Sequence, residues 1–343
     1  MSITLKKSNS ETRILAWLIL LTILVLVMII IGGLTRLTES GLSIVDWKPI
    51  MGTIPPLSNS SWIEIFDKYK LSPEFKIINT SMTLNEFKYI FWWEWFHRFF
   101  ARCLGIIFIL PFIYFLFKKK LSNDIIFTLI IVFVFGLLQA IIGWWMVKSG
   151  LVDVPYVSAY RLSFHLSIAL IIFSILLWLS LSMYFGKEKN NDKSIIVKHL
   201  YHISLMLIFL TIISGGFMAG TDSGKAFNTF PLMNEQFLPD GYYFNEYGWK
   251  NIFENTIAIN FNHRWLAMFT FLFISSLIII LIRKDNYNKS SLLLVLIVLL
   301  IQILLGILTL IYGVPIKFAI LHQTNATLLL ASMIFAYHRL IYK

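Results

Sequence analysis

The sequence predicts an all-α polytopic membrane protein, with eight transmembrane helices arranged as two parallel-repeat four-helix bundles. Three observations predict it. The 343 residues are 58% hydrophobic and only 14% charged, whereas a water-soluble domain carries about a quarter charged residues. Eight stretches reach the roughly 20 apolar residues that a bilayer-crossing helix needs. The two halves of the chain also share short motifs in the same order. Soluble globular, disordered and fibrous classes are excluded on composition alone.

The eight spans run over Ile14–Leu34, Glu94–Phe117, Ile125–Met146, Leu162–Tyr184, Leu200–Gly220, Asn260–Ile282, Leu292–Tyr312 and Ala319–Ile341. Ile14–Leu34 is long for the apolar part of a signal peptide and runs into Gly32-Gly33 without an A-x-A site, so it reads as a retained span. Lys plus Arg total 29 against 18 Asp plus Glu, an excess that fits basic loops at a cytoplasmic leaflet and does not require nucleic acid. Lys6, Lys7, Arg13, Lys118-Lys119-Lys120, Lys187, Lys189, Lys193, Lys198, Arg283, Lys284, Lys289, Arg339 and Lys343 all fall on one side of an eight-span chain. The positive-inside rule then predicts both termini in the cytoplasm and the two long loops, about 35–93 and 221–256, on the outer side. The absence of an Arg-rich, acid-poor leader points to a bacterial inner membrane.

The repeat divides the chain into residues 1–190 and 191–343. Ile30-Ile31-Gly32-Gly33 answers Ile213-Ser214-Gly215-Gly216, and Trp95-Phe96-His97-Arg98 answers Phe261-Asn262-His263-Arg264. Leu138-Gln139-Ala140-Ile141-Ile142-Gly143 answers Ile301-Gln302-Ile303-Leu304-Leu305-Gly306, and Phe164-His165 answers Leu321-His322. Each half has an even number of spans, so the repeats are parallel about an axis along the membrane normal.

Four of the seven histidines, His97, His165, His263 and His322, occupy repeat-equivalent positions near the starts of spans two, four, six and eight. All four spans run from outside to inside, which sets the imidazoles at one depth, two in each half. Two imidazoles converging in an apolar bundle suit a porphyrin iron, since neutral imidazole ligates iron and a haem is a flat apolar plate. The single cysteine, Cys103, excludes an internal disulfide and a Cys-rich metal site. His199, His202 and His338 have no repeat partner and read as structural.

Glu94 precedes His97 by three residues and shares its helix face; the counterpart before His263 is Asn260. A site doing proton chemistry needs an ionisable group and a site holding a cofactor does not, so the first half reads as the reaction site. The alternative role for Glu94 is an ion pair with Arg98. Arg98 and Arg264 suit haem propionates as charge-assisted partners, or snorkelling to the interface. Trp92, Trp93, Trp95, Trp144 and Trp145 read as an aromatic belt. The first outer loop keeps Trp47, Ile50, Ile54 and Trp62, which predicts a packed lid, and the second carries Phe230-Pro231-Leu232-Met233-Asn234.

These residues resemble the heme A synthase family over nearly the whole chain. The resemblance rests on Gly33-Leu34-Thr35-Arg36-Leu37-Thr38-Glu39-Ser40-Gly41-Leu42-Ser43 with Asp46-Trp47, on Glu94-Trp95-Phe96-His97-Arg98, on Phe230-Pro231-Leu232-Met233-Asn234, on Asn262-His263-Arg264 and on Leu321-His322-Gln323. It implies a membrane oxidoreductase that oxidises a methyl group of haem O to a formyl group by successive hydroxylations, making haem A for cytochrome oxidase. It further implies a haem b cofactor whose iron is held by His263 and His322, with Arg264 beside it. The substrate haem is implied at His97, His165 and Arg98, and Glu94 as the catalytic glutamate. The first outer loop lacks the cysteine pair of many bacterial members, so the chain is similar to the cysteine-free branch shared with alphaproteobacterial and mitochondrial members. Haem O is the expected substrate; haem O synthase, oxidase assembly factors and further copies of the chain are candidate partners beside the lipid bilayer. The competing readings are a di-haem b electron-transfer cytochrome, which would hold two haems b and turn over no haem O, and a transporter or haem-handling assembly factor.

Overall fold

The computed structural model describes residues 8–46, 51–152, 154–188, 194–284 and 287–342. Lys6, Lys7, Trp47, Ile50, Lys189, Lys193 and Lys343 lie outside the described residues. Among those described there is no strand. The helices are α1 (Asn9–Leu37), α2 (Asn59–Lys70), α3 (Pro73–Ile77), α4 (Leu84–Phe117), α5 (Asn123–Lys148), α6 (Ala159–Phe185), α7 (Ile195–Gly220), α8 (Asn251–Glu254), α9 (Thr256–Ile282), α10 (Lys289–Ile311) and α11 (Ile316–Ile341). Eight of them (α1, α4, α5, α6, α7, α9, α10 and α11) are long and apolar enough to cross a membrane, as the hydropathy of the sequence predicts.

Local chemistry sets where they start. Ser8 and Glu11 form a reciprocal capping box at α1, which satisfies two of the amide donors left over at a helix start. Thr83 and Glu86 do the same at α4, so that helix begins at Leu84, ten residues before the apolar stretch that marks it in sequence. The polar residues Asn85, Glu86 and Lys88 hide this extension from a hydropathy reading, although Thr83-x-x-Glu86 is itself a start signal. One consequence concerns His97. It lies 13 residues past the first residue of α4, whereas His165, His263 and His322 lie 6, 7 and 6 past those of α6, α9 and α11.

Helices α1, α6, α7 and α11 pack around the centre. Helices α4 and α5 flank α1 and α6, and α9 and α10 flank α7 and α11. The contact surfaces are filled by fully buried side chains such as Leu18, Leu170, Ile274, Ile278, Val295 and Met333. In lipid such packing, together with interhelical hydrogen bonds, drives association. Pro111 lies inside α4 and has no N–H to donate to the carbonyl of Ile107. The Trp17 indole on α1 donates to that carbonyl at 3.0 Å. An orphaned acceptor is costly where no water can reach it, and here it becomes a contact between helices.

The loop between α1 and α4 is folded around Trp62, whereas Ile54, also expected to pack, is exposed. Trp62, Phe66 and Tyr69 of α2 pack on Phe87, Ile90 and Phe91 of the α4 extension, with ring centroids 5.0 Å apart for Phe66–Phe87 and 4.9 Å for Trp62–Phe91. The long loop between α7 and α9 is tied down by side-chain amides: Asn251 donates to the carbonyl of Tyr242 at 2.6 Å and Asn255 to that of Gly241 at 2.7 Å.

Candidate functional site: four imidazoles around one cavity

One cavity of about 1870 Å³ runs through both halves and is lined by His97, His165, His263 and His322, with Glu94, Arg98 and Arg264. Ordinary small-molecule pockets are roughly 300–1,000 Å³, so this one has room for large ligands. Each imidazole lies against a glycine of a neighbouring helix. A Cβ on Gly32 would sit 3.5 Å from His97, one on Gly143 3.1 Å from His165, one on Gly215 3.3 Å from His263 and one on Gly306 2.9 Å from His322. Glycine at these positions keeps the ring edges free of side chains, and it explains the Gly-Gly and Gln…Gly motifs shared by the two halves.

The surroundings of the rings differ. In the second half the Ser214 hydroxyl and Nδ1 of His263 share a hydrogen bond of 2.7 Å. Nε2 of Gln302 lies 3.2 Å from Nδ1 of His322, and Asn325 donates to Oε1 of Gln302 at 2.9 Å. Such outer partners fix the orientation and tautomer of a ligating imidazole. In the first half the residue equivalent to Ser214 is Ile31, which has no polar group. Gln139 donates to the backbone carbonyl of His165 at 3.1 Å instead of its ring, and His165 Nδ1 finds no hydrogen-bond partner among the described residues.

Glu94 is 2% exposed. Its carboxylate accepts from the Ser43 hydroxyl at 2.7 Å, from the Ile44 N–H at 2.8 Å and from Arg98, and Arg98 also donates to the carbonyl of Ile44 at 3.1 Å. Glu94 thus both lines the cavity and pairs with Arg98. Asn260 occupies the matching place and donates to the carbonyl of Ser223 at 2.6 Å. Arg264 donates to Asn260 and to the carbonyls of Thr229 and Phe227, each within 2.7 Å. Both arginines therefore strap the loop after the first helix of their half to the histidine-bearing helix. The Phe230-to-Asn234 motif lies beside this strap, with Met233 buried.

A further repeated element was there to be read. Thr38-Glu39-Ser40-Gly41 ends α1 and Thr221-Asp222-Ser223-Gly224 ends α7. Glu39 and Asp222 have φ of 52° and 53°. Thr38 and Thr221 each bond back to the carbonyl four residues earlier, at 2.8 and 2.7 Å, and to the following serine. Pairing the two tetrapeptides would have pointed to the loops that hold Glu94 and Asn260. The turns also meet across the halves, where Arg36 and Asp222 form an ion pair of 3.0 Å. His338, by contrast, is fully buried at the other end of the helices, 3.2 Å from the Ser182 hydroxyl and against Trp178, away from the cavity.

Among the described residues no three His, Cys, Asp or Glu side chains come together, so a metal ion held by protein ligands alone is a poor fit. Imidazoles in pairs, glycine-lined and facing a large cavity, fit an iron that brings its own planar ligand. Fold and site together define a polytopic helical membrane protein whose four imidazoles and Glu94 face one cavity. Comparison with known proteins narrows this class. Residues 15–334 match the family described as "Cytochrome oxidase assembly protein" (COX15-CtaA), and the chain belongs to that family. It is 41% identical to the Heme A synthase of Nitrosospira multiformis over 98% of this chain and 95% of that protein. It is 42% identical to the Heme A synthase of Wolbachia pipientis wMel over 93% and 90%, and 40% identical to that of Flavobacterium psychrophilum over 96% and 99%.

Proposed function

We infer that the chain is a membrane haem-dependent oxidoreductase that converts haem O to haem A by successive hydroxylation of one methyl group. The relatives named Heme A synthase carry the reaction, with near-complete coverage. The observation that carries the assignment of sites is the exchange of Glu94 for Asn260, three residues before His97 and His263.

On this reading the two halves are parallel repeats. His97 and His165 receive the iron of haem O. Helices α4 and α5 share no extended interface among the described residues, touching at the stacked rings of Phe108 and Phe133, whereas α9 and α10 pack together. That opening supports lateral entry of haem O from the bilayer, its long tail remaining in lipid or between helices. Glu94, held in place by Ser43, Ile44 and Arg98, moves protons or stabilises positive charge at the reacting methyl. A geminal diol at that carbon loses water to give the aldehyde. His263 and His322 hold a haem b, which supplies one-electron transfer when bound. Arg98 and Arg264 position the loops over the two sites and face the cavity where propionates would lie. The distribution of basic residues supports an inner-membrane location with both termini cytoplasmic.

Co-expression with haem O synthase, followed by chromatography of extracted haems, tests the reading. The wild type yields haem A, and Glu94→Ala keeps its haem but yields none. Two haems b with no haem A would instead identify an electron-transfer cytochrome, and unchanged haem O would identify a carrier. Normal haem A from Glu94→Ala would remove that residue from the chemistry.

A further inference from the structure

A second buried carboxylate faces the same cavity. Glu74, on α3 in the folded outer loop, is 6% exposed and lines the cavity wall. Its Oε2 accepts from the Tyr69 hydroxyl at 2.8 Å, and that hydroxyl accepts from Asn79 Nδ2 at 2.8 Å. Tyr69 is itself fully buried among the α2 and α4 rings. The backbone carbonyl of Glu74 accepts from the N–H groups of Ile78 and Asn79 at 2.9 and 3.0 Å. Asn79 is thus tied to both ends of the residue, and the side chain is set in one place. Burying a carboxylate is costly, and one tyrosine donor does not fully offset that cost. In sequence Glu74 stands among Lys68, Lys70 and Lys76, so nothing local marks it as a buried carboxylate.

We propose that Glu74 is the outer proton acceptor of the reaction site, acting through Glu94, with Tyr69 and Asn79 holding its carboxylate in position. This rests on the reading of the first half as the site of haem O oxidation. When the geminal diol collapses to the formyl group no electrons move: one hydroxyl loses its proton as its C=O bond forms, and the other C–O bond breaks. The departing hydroxide becomes water by taking up the proton that the relay releases, so no net proton is gained or lost. Glu94 accepts three donors, from Ser43, Ile44 and Arg98. On the proposal Glu94 passes the proton on, and the Glu74 carboxylate binds it as the neutral acid. Glu74 then releases the proton to water at the mouth of the cavity, where Glu39 and Lys225 stand more than half exposed.

The groups facing Glu74 set its affinity for the proton. Burial pushes its carboxyl up to about 7, the Glu94 and Glu39 carboxylates adding to the rise while the Tyr69 hydrogen bond and Arg36 oppose it. A carboxyl titrating near neutrality is suited to proton exchange at working pH.

The test measures haem A formation against pH in membranes containing haem O synthase, with infrared difference spectra of the purified protein. The wild type should show a rate rising through about pH 7 and a carboxyl band titrating over the same range. Glu74→Gln should lose both the limb and the band, with a rate lowered about tenfold or more and haem content unchanged. Glu74→Asp should restore the limb. Tyr69→Phe removes a donor to the ionised form and should move the limb to higher pH. If Glu74→Gln fails to accumulate, Glu74→Asp and Tyr69→Phe decide by the position of the limb. A wild-type limb persisting in Glu74→Gln, or unmoved in Tyr69→Phe, overturns the proposal. A wild type that makes no haem A overturns the underlying function instead.

Discussion

The two halves of the molecule hold their histidines against glycine in the same way and differ in the hydrogen bonds made to the rings. In residues 191–343 the rings are hydrogen-bonded by Ser214 and by Gln302 with Asn325, and α9 packs on α10. In residues 1–190 Ile31 replaces the serine, His165 Nδ1 has no hydrogen-bond partner among the described residues, and α4 and α5, touching at Phe108 and Phe133, share no extended interface among the described residues. A group that stays bound gains from ligands fixed in advance. A group that must enter, react and leave gains from an open wall and from rings that are not committed. On the proposed function the same scaffold would support a resident cofactor in one half and a passing substrate in the other, with Glu94 in the half where chemistry is proposed and Asn260 in its place in the other.

The comparison makes unequal demands on the two histidine pairs. His263→Ala should abolish the haem b absorption of the purified protein, while His97→Ala should leave it intact and abolish haem A; a full haem b spectrum in His263→Ala would reverse the assignment. Ser214→Ala should weaken haem retention by about 10–100-fold, the range expected for an outer hydrogen bond to a metal ligand. Ile31→Ala should leave haem retention unchanged, and haem dissociation kinetics measure both. Gly306→Ala drives a methyl to 2.9 Å from His322, whereas Gly32→Ala leaves an ordinary 3.5 Å contact with His97. The former should broaden or shift the haem spectrum and the latter should not. Trp17→Phe bears on the scaffold common to both halves. It strands the Ile107 carbonyl freed by Pro111 and should cost about 1–3 kcal/mol, read as a lower midpoint in detergent unfolding. The smallest effect concerns the outer loop alone. Glu74 is raised to about 7 when folded, so its neutral form favours the folded loop at low pH, and that advantage fades as pH rises toward the folded value. Melting temperature should therefore fall more for the wild type than for Glu74→Gln between about pH 5 and about pH 8.

Much of the site was legible because membrane sequences make polar residues conspicuous. Four histidines in repeat register, the Glu94-to-Asn260 exchange and the paired glycines are visible against an apolar background. The early start of α4 was less so, because Asn85, Glu86 and Lys88 interrupt the hydropathy signal while the Thr83–Glu86 box continues the helix. Ser43 and Ile44 were hidden for a different reason. Their contact with Glu94 joins residues about 50 positions apart through a loop whose path no local pattern specifies.

The sequence by itself determined the eight helices, among the described residues, that are long and apolar enough to cross a membrane. These follow from hydrophobic length and from backbone hydrogen bonding, both properties of neighbouring residues. Only the tertiary structure decided that Glu94 is gripped by a loop, that Trp17 completes the hydrogen bonding around Pro111, and that Glu74 faces the cavity. Each of these depends on where two distant segments meet. That meeting is set by the packing of whole helices and by the demand that every buried polar group find a partner.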